Sequence, residues 1–194
     1  MYKRQILSYT TSGIKDSIKP GVYVKNLKLN NTKQVYESHD KAEYFKLNLS
    51  NSGDNLAFVI DADSTKIYQR PYEIYRWDSS ISKAKLVLDK NTSPNGYRVS
   101  SDGEVEFSKD ESKLYFGLAL PEIVQDTLLL KEEIVNVEVW TYDEPRLYTV
   151  QEQQVKNDKK KSFQTVYHLK EDKLIQIATK EFPNALLSLS LIHI

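Results

Sequence analysis

The chain has no cysteine, which excludes disulfide bonds, thiol nucleophiles and thiolate metal sites. It has no excess of charge either, because 27 basic residues balance 27 acidic ones, and this disfavours a nucleic-acid binder that relies on a basic surface. No apolar run reaches the roughly 18 residues of a membrane-spanning helix, and the N-terminus shows no signal-peptide pattern. With hydrophobic residues at 40%, the chain is nevertheless too apolar to be disordered.

The two ends of the chain resemble translated sequencing-adapter DNA. Leu189–Ile194 corresponds to CTG TCT CTT ATA CAC ATC, which is similar to the transposase recognition end used in sequencing libraries. The reverse complement contains GTG TAT AAG AGA CAG, which encodes Met1–Gln5 when GTG is taken as the start codon. We therefore expect residues 1–5 and 189–194 to be adapter-derived, and residues 6–188 to be one domain from an internal piece of a longer gene.

Short alternating segments separated by turn signals predict an all-β protein, in keeping with its many aromatic residues. The best helix candidate is Arg146–Lys161, with a sparse apolar stripe, and Pro121–Ile134 is predicted to be a loop. A polar turn is expected at Asn30–Thr32. The expected strands are Gly21–Leu27, Lys33–Tyr36, Phe45–Ser50, Leu56–Asp61, Tyr72–Asp78, Lys83–Asp89, Glu104–Ser108, Lys113–Leu118, Val135–Tyr142, Lys161–Leu169 and Leu174–Ala178.

An internal repeat predicts the arrangement of these strands. Leu49–Phe58 aligns without gaps onto Phe107–Phe116, at an offset of 58 residues, and Trp77 and Trp140 each fall in the third strand of their unit. The alternative is a generic pair of hairpins, but the matched order of four strands favours blades of a β-propeller. We therefore expect a partial β-propeller with antiparallel four-stranded units near Tyr44–Asp89 and Glu104–Ala178, and part of another unit before Tyr44.

The repeat carries a resemblance to a known family. The run Ser-x-Asp-x-x-x-Leu-Tyr-Phe at Ser108–Phe116 resembles the strand–turn–strand signature of bacterial propellers of the Tol and prolyl oligopeptidase types. Together with Val135–Trp140 and Val166–Ala178, it is most similar to the N-terminal propeller of bacterial prolyl oligopeptidase-family serine peptidases. The first copy departs from the signature, because Ser52-Gly53 stands where Asp-Gly is usual.

The resemblance implies a partner domain that is not in this sequence. In such peptidases the propeller packs over a C-terminal α/β-hydrolase domain, which carries the Ser-His-Asp triad and cleaves peptide substrates. It also implies a periplasmic or secreted parent protein. The leading hypothesis is therefore a non-catalytic propeller domain that gates and orients peptides. The alternatives are a Tol-like propeller that acts only as a protein-interaction scaffold and, more weakly, a carbohydrate-active propeller.

The residues of the chain itself do not suggest a catalytic centre. A nucleophile elbow needs Gly-x-Ser-x-Gly, and no two of the glycines are four residues apart. His39 lies in a polar turn and His168 precedes a charged turn, so neither is expected to belong to a triad. We therefore expect no catalytic residue and no cofactor. We also expect no metal site, because Asp61, Asp63 and Asp126 lack the spacing of metal ligands.

A pair of adjacent glutamates is the candidate for substrate binding. Dipeptidyl-peptidase relatives hold the amino terminus of a substrate with a double glutamate, and Glu132 and Glu133 could pair with an ammonium group in the same way. The alternative interpretation is a solvated acidic loop. The basic run Lys156–Lys161 is interpreted as solvated surface, and the two tryptophans as packing between blades.

Overall fold

The computed structural model of the protein describes residues 6–12, 18–65, 67–94, 96–122, 124 and 146–183. The adapter-like segments, the predicted strand Val135–Tyr142 with Trp140, and most of the predicted loop Pro121–Ile134 lie outside these residues. The elements of the described ranges are β1 (Ile6–Thr11), β2 (Gly21–Asn26), β3 (Asn31–Glu37), β4 (Glu43–Leu49), β5 (Asn55–Asp61), β6 (Glu73–Asp78), β7 (Lys85–Leu88), β8 (Arg98–Val99), β9 (Glu106–Phe107), β10 (Lys113–Ala119), α1 (Tyr148–Lys159), β11 (Phe163–His168) and β12 (Lys173–Gln176).

These strands form three antiparallel sheets in which neighbours in sequence are neighbours in space. Sheet 1 has the order β1-β2-β3 and sheet 2 the order β4-β5-β6-β7. Sheet 3 has the order β12-β11-β10-β8, and β9 pairs with the same edge of β10 as β8 does. The first strands of successive sheets contact each other, β1 with β4 and β4 with β9. The all-β prediction is confirmed, and this arrangement is a partial β-propeller.

The first strand of sheet 3 differs from the prediction. The strand predicted over Glu104–Ser108 forms only as the shorter β9, and β8, which was not predicted, also pairs with β10 and is separated from β9 by a turn. The Ser100 hydroxyl accepts hydrogen bonds from the backbone N–H groups of Asp102 (3.2 Å) and Gly103 (3.0 Å). These bonds form a turn that interrupts the pairing with β10 between β8 and β9. The turn expected at Asn30–Thr32 also differs from the prediction. It ends at Asn30, because β3 already starts at Asn31.

Strand β5 has a continuous apolar sequence because both faces of sheet 2 are covered. Leu56, Phe58 and Ile60 point to one side and pack in a cluster with valines of sheet 1. Ala57 and Val59 point to the other side and pack in a cluster with sheet 3. Because side chains alternate between the two faces of a strand, one run of apolar residues supplies both clusters. The core therefore lies between the sheets.

The repeated turn has the same hydrogen bonds in both copies. In the first copy the Ser50 N–H donates to the Asn55 carbonyl at 2.8 Å, and the Asn55 N–H donates back to the Ser50 hydroxyl at 3.1 Å. In the second copy Ser108 and Lys113 make the corresponding bonds at 3.0 Å each. The gap-free alignment of the repeat is therefore correct at the level of single atoms.

Trp77 lies in β6, the third strand of sheet 2, as predicted. Its side chain is only 5% exposed and packs in the cluster between sheets 1 and 2, where the indole N–H donates to the Ile81 carbonyl at 3.0 Å. A buried indole with a satisfied N–H is a packing residue. The interpretation of this tryptophan as packing between blades is confirmed.

The helix predicted over Arg146–Lys161 forms as α1, but it contributes little to the core. None of its residues is buried, in keeping with the sparse apolar stripe of the sequence. Arg146, which precedes the N-cap residue Leu147, forms an ion pair of 3.0 Å with Asp158 in the last turn of the helix. In the described part of the chain, no helix is long and apolar enough to cross a membrane.

The strands define two ends of the sheet stack. The Ser50–Asn55 and Ser108–Lys113 turns and Ile6, which begins β1, lie at one end, which we call the turn end. Thr11, Glu37 and the start of β4 lie at the opposite end, which we call the loop end. Because β1 runs parallel to β3, and β3 reverses into β4, strand β1 is antiparallel to β4 and has the direction of β5.

Candidate functional site

A groove with a mostly apolar lining lies at the loop end of the described residues. It has a volume of about 930 Å³ and lies between α1, the end of β10 and the start of β11. Such a volume is within the usual range for ligand pockets, roughly 300–1,000 Å³. Its apolar lining residues are Tyr68, Leu120, Pro121, Val124, Val155 and Phe163. We call this cavity the loop-end groove.

Charged side chains of both signs border the loop-end groove. Lys159 and Lys161 stand on one side, and the Lys161 ammonium lies 6.0 Å from the centre of the Phe163 ring. Glu122 stands on the other side, 3.3 Å from the guanidinium of Arg98. An apolar floor with cationic and anionic groups at its rim suits a peptide, because a peptide presents apolar side chains together with charged termini. The basic run of the sequence thus contributes three residues to this groove, Asp158, Lys159 and Lys161, of which the first is acidic.

Arg98 is held in place beside the groove by an aromatic ring. Its guanidinium carbon lies 5.2 Å from the centre of the Tyr72 ring, and its side chain is 15% exposed. The buried Nε atom has no hydrogen-bond partner among the described residues. A guanidinium stacked on a ring and paired with Glu122 keeps a fixed orientation.

Asp61 is engaged in a buried ion pair. Its carboxylate, 2% exposed, accepts the Arg70 Nε–H at 2.5 Å, and the same guanidinium donates to the Asp63 carbonyl at 2.7 Å. The hydrogen bond to Asp61 raises the pKa of Arg70. Asp63 itself binds the hydroxyl and N–H of Thr65, and these bonds lower its pKa. Both aspartates therefore form hydrogen bonds that stabilise the loop between β5 and β6. No group of three or more His, Asp or Glu side chains in the described ranges could hold a metal ion.

Two of the chain's three histidines, His39 and His168, are among the described residues, and they lie at opposite ends of the sheet stack. His39 is on the loop between β3 and β4, where its Nε2–H donates to the Ala62 carbonyl at 2.6 Å while Nδ1 accepts the Lys41 N–H at 3.2 Å. His168 ends β11 opposite Lys113, at the turn end. They cannot share one catalytic centre.

Glu132 and Glu133, the predicted substrate-binding pair, lie outside the described residues. Their role stays a prediction. The sequence did not predict the loop-end groove, because its lining comes from segments far apart in the chain and includes Tyr68 and Val155, which have no distinctive local pattern.

A second cavity lies at the turn end, along the first strands of the three sheets. It has a volume of about 580 Å³. Residues Ile6–Ser8 of β1 line one side, Leu47–Asn51 line another, and Glu106 and Phe107 of β9 close it. Near it, Lys46 and Glu104, which are equivalent positions of the repeat, form an ion pair at 2.7 Å. We call this the inner-strand cavity.

A carboxylate of sheet 3 joins the two repeated turns at this end. Glu111 accepts the N–H and the hydroxyl of Ser52, both at 2.7 Å, and the side-chain amide of Asn55 at 2.9 Å. Partial burial acts to raise the pKa of Glu111, but these hydrogen bonds together hold it below its ordinary value. The corresponding residue of the first copy is Gly53, which instead packs on Ile6 of sheet 1.

No family model matches the chain, and no curated protein matches it. Among solved structures, an oligogalacturonate lyase in complex with manganese is 12% identical over 91% of this chain, with a TM-score of 0.44. The oligogalacturonate lyase from Vibrio parahaemolyticus is 12% identical over 90%, with a TM-score of 0.43. An acylaminoacyl peptidase in complex with Z-Gly-Gly-Phe-chloromethyl ketone is 15% identical over 90%, with a TM-score of 0.45. The chain spans 34% of each lyase and 23% of the peptidase.

Proposed function

We propose that this partial propeller belongs to a prolyl oligopeptidase-like serine peptidase, in which it gates and orients peptide substrates without catalysing their cleavage. The loop-end groove is the observation that carries the proposal, because its apolar floor and mixed-charge rim suit a peptide chain. The resemblance of Ser108–Phe116 to propellers of this family agrees with it. The groove would hold apolar side chains of the substrate, while Lys159, Lys161 and Glu122 would select its charged ends.

In this proposal the chemistry takes place on another domain. A serine of an α/β-hydrolase domain would attack the scissile carbonyl, with a histidine as the general base. The propeller would raise the rate for acceptable peptides by orienting them, and would exclude folded proteins by steric obstruction. Folded proteins are too wide for such a groove, whereas a short extended peptide is not.

The codons that flank this sequence in its source DNA test the assignment to a peptidase. The expected result is a downstream Gly-x-Ser-x-Gly motif followed by an aspartate and a histidine in one reading frame. Further propeller blades that end in a stop codon would contradict the peptidase and favour the Tol-like scaffold. Long-read sequencing of the source DNA makes this measurement.

Peptide binding by the purified chain tests the role of the groove. A fluorescent peptide with apolar side chains and free termini is titrated into the chain, and we expect saturable binding. Val155→Asp, at an exposed position that lines the groove, should weaken binding about tenfold or more, since it places a charge on the apolar floor. Gln153→Asp adds the same charge to the same helix outside the groove and should leave binding unchanged. Equal effects of both variants would contradict the proposed site.

A further inference from the structure

One face of α1 lines the loop-end groove and ends in a lysine. Gln151, Val155 and Lys159 all line the groove and are spaced four residues apart, so they lie on the same side of the helix. Asp158, three residues after Val155, belongs to the same face. The chain then passes into β11, and Lys161 lines the groove as well, with its backbone N–H donating to the Asp158 carbonyl at 3.2 Å. Two lysines therefore stand at the end of the groove where α1 meets β11.

Both carboxylates that line the groove already have a guanidinium partner. Glu122 pairs with Arg98 at 3.3 Å, and Asp158 pairs with Arg146 at 3.0 Å. Arg98 is held in addition by the Tyr72 ring, 5.2 Å from its guanidinium carbon. The ammonium group of a ligand would have to compete with these guanidinium groups, which suit a carboxylate better than an ammonium group does. The two acidic residues therefore offer little attraction for a cationic ligand.

The balance of charge at the groove is positive. Two lysines and two arginines stand at or beside the lining, against the carboxylates of Glu122 and Asp158. Lys159 and Lys161 are exposed, and the Lys161 ammonium lies 6.0 Å from the centre of the Phe163 ring on the groove floor. A concave surface with one prevailing sign of charge attracts ligands of the opposite sign. Here that attraction acts next to an apolar floor.

We propose that the loop-end groove prefers acidic peptides, and that Lys159 and Lys161 bind a peptide carboxylate while Val155 and Phe163 contact the apolar side chains next to it. The carboxylate is either the C-terminal group or the side chain of an aspartate or glutamate, since both present the same oxygen acceptors to an ammonium donor. Because the groove has been proposed to bind peptides, this inference rests on the proposed function and adds the sign of the charge that is selected.

Three fluorescent peptides that share one apolar sequence test the preference. The first ends in a free carboxylate and the second in an amide, and the third is the amidated peptide with a glutamate in place of its last glutamine. The fluorophore caps the amino terminus of all three, so none carries a free ammonium group there. Each is titrated into the purified full chain at low and at high ionic strength.

We expect one or both carboxylate peptides to bind about fivefold or more tightly than the neutral amide at low ionic strength. The difference should shrink at high ionic strength, because exposed charges are screened by salt. Tight binding of the first peptide identifies the C-terminal group as the source of the carboxylate, and tight binding of the third identifies an acidic side chain.

Two double variants of the same basic run locate the effect. Lys159→Gln with Lys161→Gln should remove the difference between the carboxylate peptides and the amide. Lys156→Gln with Lys160→Gln removes the same charge, but these positions are turned by about 100° from the Val155 face and do not line the groove, so the difference should persist. All four lysines are exposed, so both variants should keep the fold.

The outcomes separate this inference from the proposed function. Saturable binding of all three peptides with equal affinity, or tighter binding of the amide, would overturn the preference for acidic peptides and leave the peptide groove in place. Loss of the difference in both double variants would show attraction to the basic run as a whole and would also overturn it. Absence of saturable binding for every peptide would contradict the peptide groove itself, and the preference with it.

Discussion

At the turn end, a single side chain can form hydrogen bonds between neighbouring sheets, and Glu111 is the clearest case. It is a residue with positive φ (55°), at the position that Gly53 (φ 87°) occupies in the first copy. The repeat alignment placed these two residues in the same position of the turn, and the structure shows that both have a left-handed backbone there. It did not predict that the Glu111 carboxylate would bind Ser52, because that contact joins two turns that are brought together only by the packing of sheets 2 and 3.

Glu111 should make stability depend on pH in the acidic range. Its pKa in the folded chain lies below the ordinary value of 4.5, so its contribution is fully present above the unfolded pKa and is lost as the pH falls through the folded pKa. We therefore expect the free energy of unfolding of the wild type to exceed that of Glu111→Gln at pH 6, with the difference shrinking below pH about 4.3. Urea denaturation at a series of pH values measures this, and a difference that grows on acidification would contradict the assignment.

The same pH series allows the contribution of Asp110 to stability to be compared with that of Glu111. Hydrogen bonds from the Ser108 and Ser112 hydroxyls lower the pKa of this carboxyl to about 2. Its stabilising effect should therefore persist to lower pH than that of Glu111. Asp110→Asn should differ from the wild type down to pH about 3 and converge with it only near the folded pKa. Loss of both effects at the same pH would indicate a single global acid transition.

Gly53 should tolerate no side chain, for two separate reasons. Its φ of 87° is costly for any L-residue, and an added Cβ would lie 3.0 Å from the Ile6 side chain. We expect Gly53→Ala to lower the free energy of unfolding by more than the 1–2 kcal/mol typical of a left-handed backbone, roughly 2–3 kcal/mol in all. The matched control is Gly96→Ala, with a φ of 81° and no atom within 4 Å of the new Cβ. If chemical denaturation shows equal losses for both, the contact with Ile6 is unimportant.

Among the elements, β5 and α1 are at opposite extremes of burial, and the sequence pattern of each predicted its position. The apolar run Leu56–Ile60 predicted a buried strand, and it lies in the middle of the stack with both faces covered. The sparse stripe of Arg146–Lys161 predicted a weakly anchored helix, and α1 has no buried residue. Strand β8 was missed, because a segment of two residues has no alternation to recognise and becomes a strand only through its pairing with β10.

This contrast should appear in the stability of core and helix variants. Phe58 is fully buried between sheets 1 and 2, so Phe58→Ala should lower the free energy of unfolding by about 3–5 kcal/mol. Val155 on α1 is 44% exposed, so Val155→Ala should change it by less than about 0.5 kcal/mol. Both values come from urea denaturation followed by fluorescence. A large effect at Val155 would mean that the helix packs more tightly than its exposure indicates.

At the scale of the whole molecule, the two histidines among the described residues lie far apart, at opposite ends of the sheet stack. His39 holds the Ala62 carbonyl at the loop end, whereas His168 ends β11 at the turn end. A hydrolytic triad needs a serine, a histidine and a carboxylate within hydrogen-bond reach of one another. No elbow motif in the sequence supplies the serine.

The purified chain should therefore not hydrolyse chromogenic peptides, including those that contain proline. The wild type is assayed beside His39→Ala and His168→Ala, and all three should give the rate of buffer alone. Turnover by the wild type that either substitution abolishes would show that a catalytic centre exists within this chain. Turnover that survives both substitutions would point to a contaminating peptidase, which a further chromatographic step would separate from the chain.

The sequence by itself determined most of the strands, though not β1 or β8, and the repeated Ser50 and Ser108 turns, because these depend on alternation and on hydrogen bonds between residues a few positions apart. Tertiary structure decided which face of β5 meets which sheet, the pairing of Asp61 with Arg70, and the groove between α1 and β10. Contacts between sheets join residues well separated in the chain, as Tyr36 and Phe58 or Glu111 and Ser52 are. Their pairing depends on how the twisted sheets stack, and no local pattern encodes that arrangement.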